Sequence, residues 1–383
     1  MTKTSLRSAF AQPAALTMFF FGFTSGLPFL LVGGTLSTWL RESGISLESI
    51  GLISYATLTY SFKFLWAPAV DRAQLPVLGK LLGQRRSWLL AAQIILLACL
   101  LGMAFLTPQS FTLFIALVFC AAFAGATQDV VVDAYRIEIA PAETQGALAA
   151  TYTLGYRLAL LASGALALIL ADHVSWTLVY LFMASLLPGM MLVTILLAKE
   201  PQHPVARASS FTQAVEDGVI GPFRDFFQRY PVAISIGLLA FIGLFKISDQ
   251  MLGVMALPFY LDSGFTKTEI GAVSKIFGVW IGIAGAFLGG ISVVKIGINR
   301  SLLIGILIGS VSNLLYLLLS LYPGNLTIFT LVISGENLAG GFLGSAAVAW
   351  LSALVSQRYT ATQYALFSSL VTLPGKLIGG MSG

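Results

Sequence analysis

Long apolar runs alternate with short polar breaks along the whole chain. Each run is roughly 20 residues or longer, the length at which an α-helix rising about 1.5 Å per residue crosses a hydrocarbon core of about 30 Å. The pattern predicts eleven spans: 14–40, 47–70, 87–106, 110–138, 145–170, 175–198, 230–261, 268–293, 300–321, 325–355 and 361–383. The runs are not the alternating segments of about ten residues that make a membrane β-barrel. The start, "MTKTSLRSAFAQPAALTMFFFG", has the features of a signal peptide, but the spans behind it make it the first helix.

Composition agrees. Of 383 residues, 57% are hydrophobic and 10% charged, against about 25% charged in soluble domains. The fold class expected is an all-α integral membrane bundle. Lysine and arginine orient it. With the N-terminus inside, the inner segments hold Lys3, Arg7, Arg72, Lys80, Arg85, Arg86, Arg136, Lys199, Arg207, Arg224, Arg229, Lys295, Arg300 and Arg358. The outer loops hold only Arg41 and Lys267. The net charge of +5 therefore belongs to the inner face and implies no nucleic-acid partner. Cys99 and Cys120 lie in apolar helices, and His173 and His203 lie in loops. No disulfide framework, metal spacing or cofactor motif follows from them. No nucleophile–base constellation or phosphate loop points to an enzyme. A membrane sensor without transport is the competing class.

The longest polar connector, about 199–229, divides the chain into a first transmembrane half (1–198) and a second (230–383). The end of the connector is amphipathic and is expected to lie on the inner surface as a short helix. The halves resemble each other. "ESGISLESIG" (42–51) aligns with "DSGFTKTEIG" (262–271), and "ETQGA" (143–147) with "ATQYA" (361–365). Ser46 and Thr266 are expected N-caps. Duplicated halves point to a transporter with its site at mid-depth between them.

The plan resembles the major facilitator superfamily, and "DRAQLPVLGKLLGQRRS" is similar to that family's signature after its second helix. "SGLPFLLVGGTLSTWL", "FKFLWAPAVDR", "TQDVVVDAYRIEIAPAE", "LGYRLALLASG", "FKISDQM", "SGENLAGG" and "TATQYALFSSL" together resemble the AmpG family. The resemblance implies two six-helix pseudo-repeats and a monomeric bacterial inner-membrane permease. It implies import of anhydro-muropeptides, anionic sugar-peptides, during cell-wall recycling. The same branch holds acetyl-CoA carriers, and another anionic solute such as a siderophore is a rival cargo. The twelfth span of the superfamily is missing here, so either the sequence is cut short or the second half closes differently.

Charges inside the spans are the candidate chemistry, because each costs roughly 2.5–3.5 kcal/mol at mid-membrane on insertion scales. Lys63, eight residues from Asp71, and Asp129, nine from Glu138, are placed level at about 12–14 Å depth. Two readings stand for them: an ion pair joining helices, or a carboxylate for which a proton and Lys63 compete, as a proton-coupled carrier needs. Asp129, Asp249 and Glu336 are the proton-coupling candidates. The substrate candidates are Lys63, Gln128, Asp129, Arg157, Lys246, Asp249, Lys275, Glu336, Asn337 and Lys376. Asp71, Arg72, Asp133 and Arg136 are expected to form a cytoplasmic gate between the second and fourth spans. Trp39, Trp66, Trp88 and Trp350 are read as interface anchors before sugar-stacking groups. "GALALI" and "GIAGAFLGG" are read as close helix packing.

Overall fold

The computed structural model describes residues 9–106, 108, 111–201 and 220–379. The side chains of 111, 253–255, 257–258, 267–268, 275 and 375–379 lie outside the description. Among the described residues the regular structure is helical. Nine stretches of 21–30 residues are long and apolar enough to cross a membrane. They correspond to nine of the eleven spans read from the sequence. The span read at 47–70 is a chain of short pieces, Leu47–Ser54, Tyr55–Leu58, Thr59–Phe62, Lys63–Leu65 and Ala67–Arg72. The pieces at Tyr55 and Lys63 are tight 3-10 turns, and Pro68 starts the last of them. The span read from 361 is the helix Thr360–Gly379, within which Pro374 lies. The expected surface helix at the end of the connector is Gly221–Arg229, with Pro222 and Phe226 buried. Residues 202–219 of the connector lie outside the described residues.

The repeat is visible in the backbone. Gly44 (φ +82°) and Gly264 (φ +87°) end equivalent helices in the left-handed region, where glycine carries no Cβ penalty. Around each, the same ladder closes: Gly44 N–H donates to Arg41 and Ile45 N–H to Leu40, as Gly264 does to Leu261 and Phe265 to Tyr260. The next helices are capped as expected. The Ser46 hydroxyl accepts from Ser49 N–H. Thr266 and Glu269 form a reciprocal box, Glu269 N–H to Thr266 Oγ1 (3.2 Å) and Thr266 N–H to Glu269 Oε2 (2.9 Å).

Glycines set the closest helix pairs. In the first half, Gly155 of Gln145–Leu161 lies against the Phe19 carbonyl of Pro13–Leu31, and Gly22 against the Tyr152 carbonyl. In the second, Gly285 meets the Leu338 carbonyl and Gly341 the Gly282 carbonyl, joining Gly278–Ile296 to Leu326–Leu354. Here "GIAGAFLGG" is a packing seam, as expected. Gly155→Val would drive a side chain into the Phe19 backbone. It should cost on the order of 1–3 kcal/mol by overpacking and lower the Tm of the purified protein in detergent. An unchanged Tm would contradict this seam.

The halves meet at one end. Ala361 and Ala365 of the second half pack into a cluster with Phe21, Val131 and Tyr135 of the first, and Ile137 packs among Leu351, Tyr364 and Phe367. At the other end each half keeps its own core. One is built round Trp39, Phe114 and Tyr180, the other round Tyr260, Phe265 and Phe329.

Candidate functional site

A cavity of about 820 Å³ opens between the halves, beyond the end where they are joined. Irregular helix shapes its wall. Lys63 enters from a 3-10 turn, Gly164 and Ala165 from the π-helical turn Ala162–Leu166, and Ile276 from the π-helical stretch Gly271–Phe277. Such interruptions gather at functional sites. The polar residues lining the cavity are Lys63, Asp129, Asp133, Tyr152, Thr153, Tyr156 and Arg157 of the first half and Tyr364 and Ser368 of the second.

Three placements differ from the sequence expectation. Lys63 Nζ pairs with Asp133 Oδ2 (3.3 Å), not with Asp129. The level estimate assumed continuous α-helix, and the 3-10 turns, with about 2.0 Å rise and three residues per turn, shift both height and direction. Asp133 therefore faces the cavity instead of sitting in the gate alone. Its other oxygen holds Arg136 (3.3 Å), so this carboxylate touches both regions. Gln128 is turned away from the cavity. It accepts from the Thr24 hydroxyl (3.2 Å) and donates to the Thr24 carbonyl (2.6 Å). Neighbours on a helix point about 100° apart, and here Asp129 borders the cavity while Gln128 faces Thr24 of the neighbouring helix. Among the described residues Asp129 Oδ1 is buried without a hydrogen-bond partner.

A recess of about 250 Å³ in the second half gathers Lys246, Asp249, Glu336 and Asn337, as expected, with Asn313 and Ser312 beside them. Arg157 lines both the recess and the main cavity. Its guanidinium lies over Gly282 of the facing half and donates to the Val279 carbonyl (3.4 Å). Glu336 Oε2 accepts from the hydroxyls of Tyr316 (2.5 Å) and Tyr260 (3.5 Å). Asp249 Oδ1 accepts from Asn313 Nδ2 (3.1 Å). The side chains of Lys275 and Lys376 lie outside the described residues.

The joined end is held by a buried latch. Arg85 donates to Asp71 Oδ1 (2.8 Å), to both oxygens of Glu138 (2.5 and 2.9 Å) and to Thr360 Oγ1 (2.8 Å). Thr360 also bonds Glu138. Asp71 accepts from Ala361 N–H (3.0 Å), Thr362 N–H (2.8 Å) and the Thr362 hydroxyl (2.7 Å). It thus caps the N-terminus of Thr360–Gly379 from the other half, where the helix dipole favours an anion. Arg136 donates to Gln145 (2.9 Å) and to Ser352 across the interface (2.9 Å), and lies over the Tyr364 ring. Arg72 lies over the Tyr359 ring. Glu200 accepts from Arg85 N–H (2.8 Å) and Arg86 N–H (3.1 Å); burial raises its carboxyl, against those two donors.

Asp71, Arg72 and Arg136 are thus at the joined end, but their partners were not foreseen. Arg85 and Glu138 stand in the quoted stretches "GQRRS" and "DAYRIE", and Thr360 and Thr362 in "TATQ". Only the three-dimensional contact singles them out. None of the four tryptophans read as anchors lines the cavity or the recess. Trp66 donates to Thr127 (3.0 Å), Trp88 to the Ala73 carbonyl (2.7 Å), and Trp39 stacks on Trp176.

Residues 15–379 match the Major Facilitator Superfamily. The chain is 40% identical over 378 residues to the anhydromuropeptide permease of Escherichia coli, covering 98% of this chain and 74% of that protein. It is 35% identical over 363 residues to the Rickettsia conorii relative named AmpG 4, covering 93% and 86%. Among solved structures, the proton:xylose symporter XylE superposes with a TM-score of 0.65 at 14% identity, covering 96% of this chain and 87% of that one.

Proposed function

The chain belongs to the Major Facilitator Superfamily as a multi-pass membrane transporter related to the anhydromuropeptide permeases, and from that premise we propose that it imports anhydro-muropeptides across the bacterial inner membrane in symport with protons. The observation that carries the reading is the cavity lined by both halves. At about 820 Å³ it lies toward the upper end of the roughly 300–1,000 Å³ usual for small-molecule sites. That suits a disaccharide better than a single sugar. Arg157, reaching from the first half to Val279 and Gly282 of the second, supplies a cation to an anionic cargo.

In this reading the N-terminus and the latched end lie in the cytoplasm, which the excess of lysine and arginine on that side supports. With the latch shut, the cavity faces the periplasm, and the latch must part for release. Asp129 is the coupling group in this reading. Among the described residues its Oδ1 has no hydrogen-bond partner, while Lys63 is engaged by Asp133.

The test is uptake of labelled anhydro-disaccharide peptide by proteoliposomes, with and without an inward proton gradient, with acetyl-CoA as rival. Gradient-driven uptake resisted by excess acetyl-CoA is expected. Uptake of acetyl-CoA instead would replace the cargo, and gradient-independent exchange would remove the symport. Arg157→Ala should weaken cargo binding by more than about 1 kcal/mol, the scale of a lost charge-assisted hydrogen bond. An unchanged affinity in calorimetric titration would take Arg157 out of the site.

A further inference from the structure

The recess beside the main cavity concentrates charge. Two cations and two carboxylates border each space, but the cavity spreads Lys63, Asp129, Asp133 and Arg157 over about 820 Å³ and pairs Lys63 with Asp133, whereas the recess brings Arg157, Lys246, Asp249 and Glu336 round about 250 Å³. That is room for roughly eight waters at about 30 Å³ each. The four groups are incompletely satisfied. Among the described residues, Asp249 is bonded through Oδ1 alone and Glu336 through Oε2 alone. Among the described residues the Lys246 side chain has no hydrogen bond or ion pair, and the Arg157 side chain has a single long hydrogen bond, to the Val279 carbonyl.

The backbone is interrupted beside the recess, at Lys246. The helix Val232–Leu244 stops, and Ile247–Asp262 restarts after Lys246 with no side-chain cap. A restarted membrane helix presents free N–H groups and a positive dipole end, which suits a carboxylate.

We propose that this recess binds a zwitterionic amino-acid end group of the transported peptide, one carrying both an ammonium and a carboxylate. The proposal rests on the reading of the chain as an anhydro-muropeptide importer and names what holds the peptide part of that cargo. Asp249 and Glu336 face the ammonium. Lys246, Arg157 and the start of Ile247–Asp262 face the carboxylate. A purely anionic group would meet two carboxylates, and a purely cationic one two cations; only a group with both signs leaves no like charges facing each other. Arg157 borders both spaces, so a ligand with its sugars in the cavity reaches the recess without leaving the protein.

The experiment follows uptake of labelled, peptide-free anhydro-disaccharide by wild-type proteoliposomes in the presence of three unlabelled competitors. These are the disaccharide carrying a peptide with a free zwitterionic end, the same compound with that ammonium acetylated, and the same compound with that carboxylate amidated. Each blocked compound is expected to compete at least about tenfold more weakly than the free one, a loss of about 1.4 kcal/mol. In Asp249→Asn the penalty for acetylation should fall toward onefold while the penalty for amidation persists. In Lys246→Gln the reverse is expected. Each comparison is a ratio within one protein, so a change in absolute rate does not enter it. Equal competition by all three in the wild type would overturn the proposal, and so would a penalty for amidation alone, which would make the recess an anion site. If the label itself does not enter the wild type, the importer reading fails and takes the proposal with it. Label entry with equal competition leaves that reading standing and removes only the recess.

Discussion

Arg85→Ala should open the latch and bias the transporter toward the form that faces the cytoplasm. Arg85 is buried between Asp71 and Glu138 and bonds both, along with Thr360 of the other half. Its removal leaves two carboxylates buried close together with no cation between them. Breaking a buried pair from one side costs about 3–5 kcal/mol, and this protein has a way to relieve that cost. Parting the halves exposes the carboxylates to water. The closed form should therefore lose more than about a hundredfold in population relative to the open one. In a background with Cys99 and Cys120 replaced, a cysteine at Ala365, which is 1% exposed in the joined cluster, should become reactive from the cytoplasmic side. Uptake should slow with cargo preference kept. Arg85→Lys should recover part of the rate, because a point charge cannot span the same forked set of acceptors. If the cysteine stays protected in Arg85→Ala, or if cargo preference changes, these charges do not act as a gate.

Asp129→Asn should abolish gradient-driven accumulation and leave exchange of labelled for unlabelled cargo. Asparagine keeps the size of the carboxylate but cannot take up and release a proton. Lys63 is already paired with Asp133, so the Asp129 side chain is the acidic group of the cavity whose buried oxygen has no partner among the described residues. Asp133→Asn serves as the contrast. It removes the contacts to both Lys63 and Arg136, and should slow exchange as well as accumulation, since one carboxylate there joins cavity and latch. Accumulation persisting in Asp129→Asn with an unchanged pH dependence would move coupling to Asp133, Asp249 or Glu336.

Sequence by itself determined the membrane class, the helical type, most of the spans and the repeat. These rest on run length, composition and local turn chemistry. Gly44 and Gly264 close the same turn, and Ser46 and Thr266 cap as their residue types require. It also determined which charges are costly enough in a membrane to need a purpose. The second-half set, Lys246, Asp249, Glu336 and Asn337, gathers round one recess, as counting residues from the ends of the spans places them at similar depth.

Only the tertiary structure decided partners and directions. Whether Lys63 meets Asp129 or Asp133 depends on where a span leaves α-helical geometry, and the 3-10 turns at Tyr55 and Lys63 carry no strong local signature. Gln128 and Asp129 are adjacent in sequence yet point to different neighbours, and the rotation of their helix against Pro13–Leu31 settles which one reaches the cavity. The latch joins Asp71, Arg85 and Glu138 to residues 360–362, more than 200 positions away. No periodicity carries information over that distance. The contact exists because segments far apart in the chain dock in the tertiary fold, and a buried charge takes whichever opposite charge or helix end the docking brings within about 3 Å.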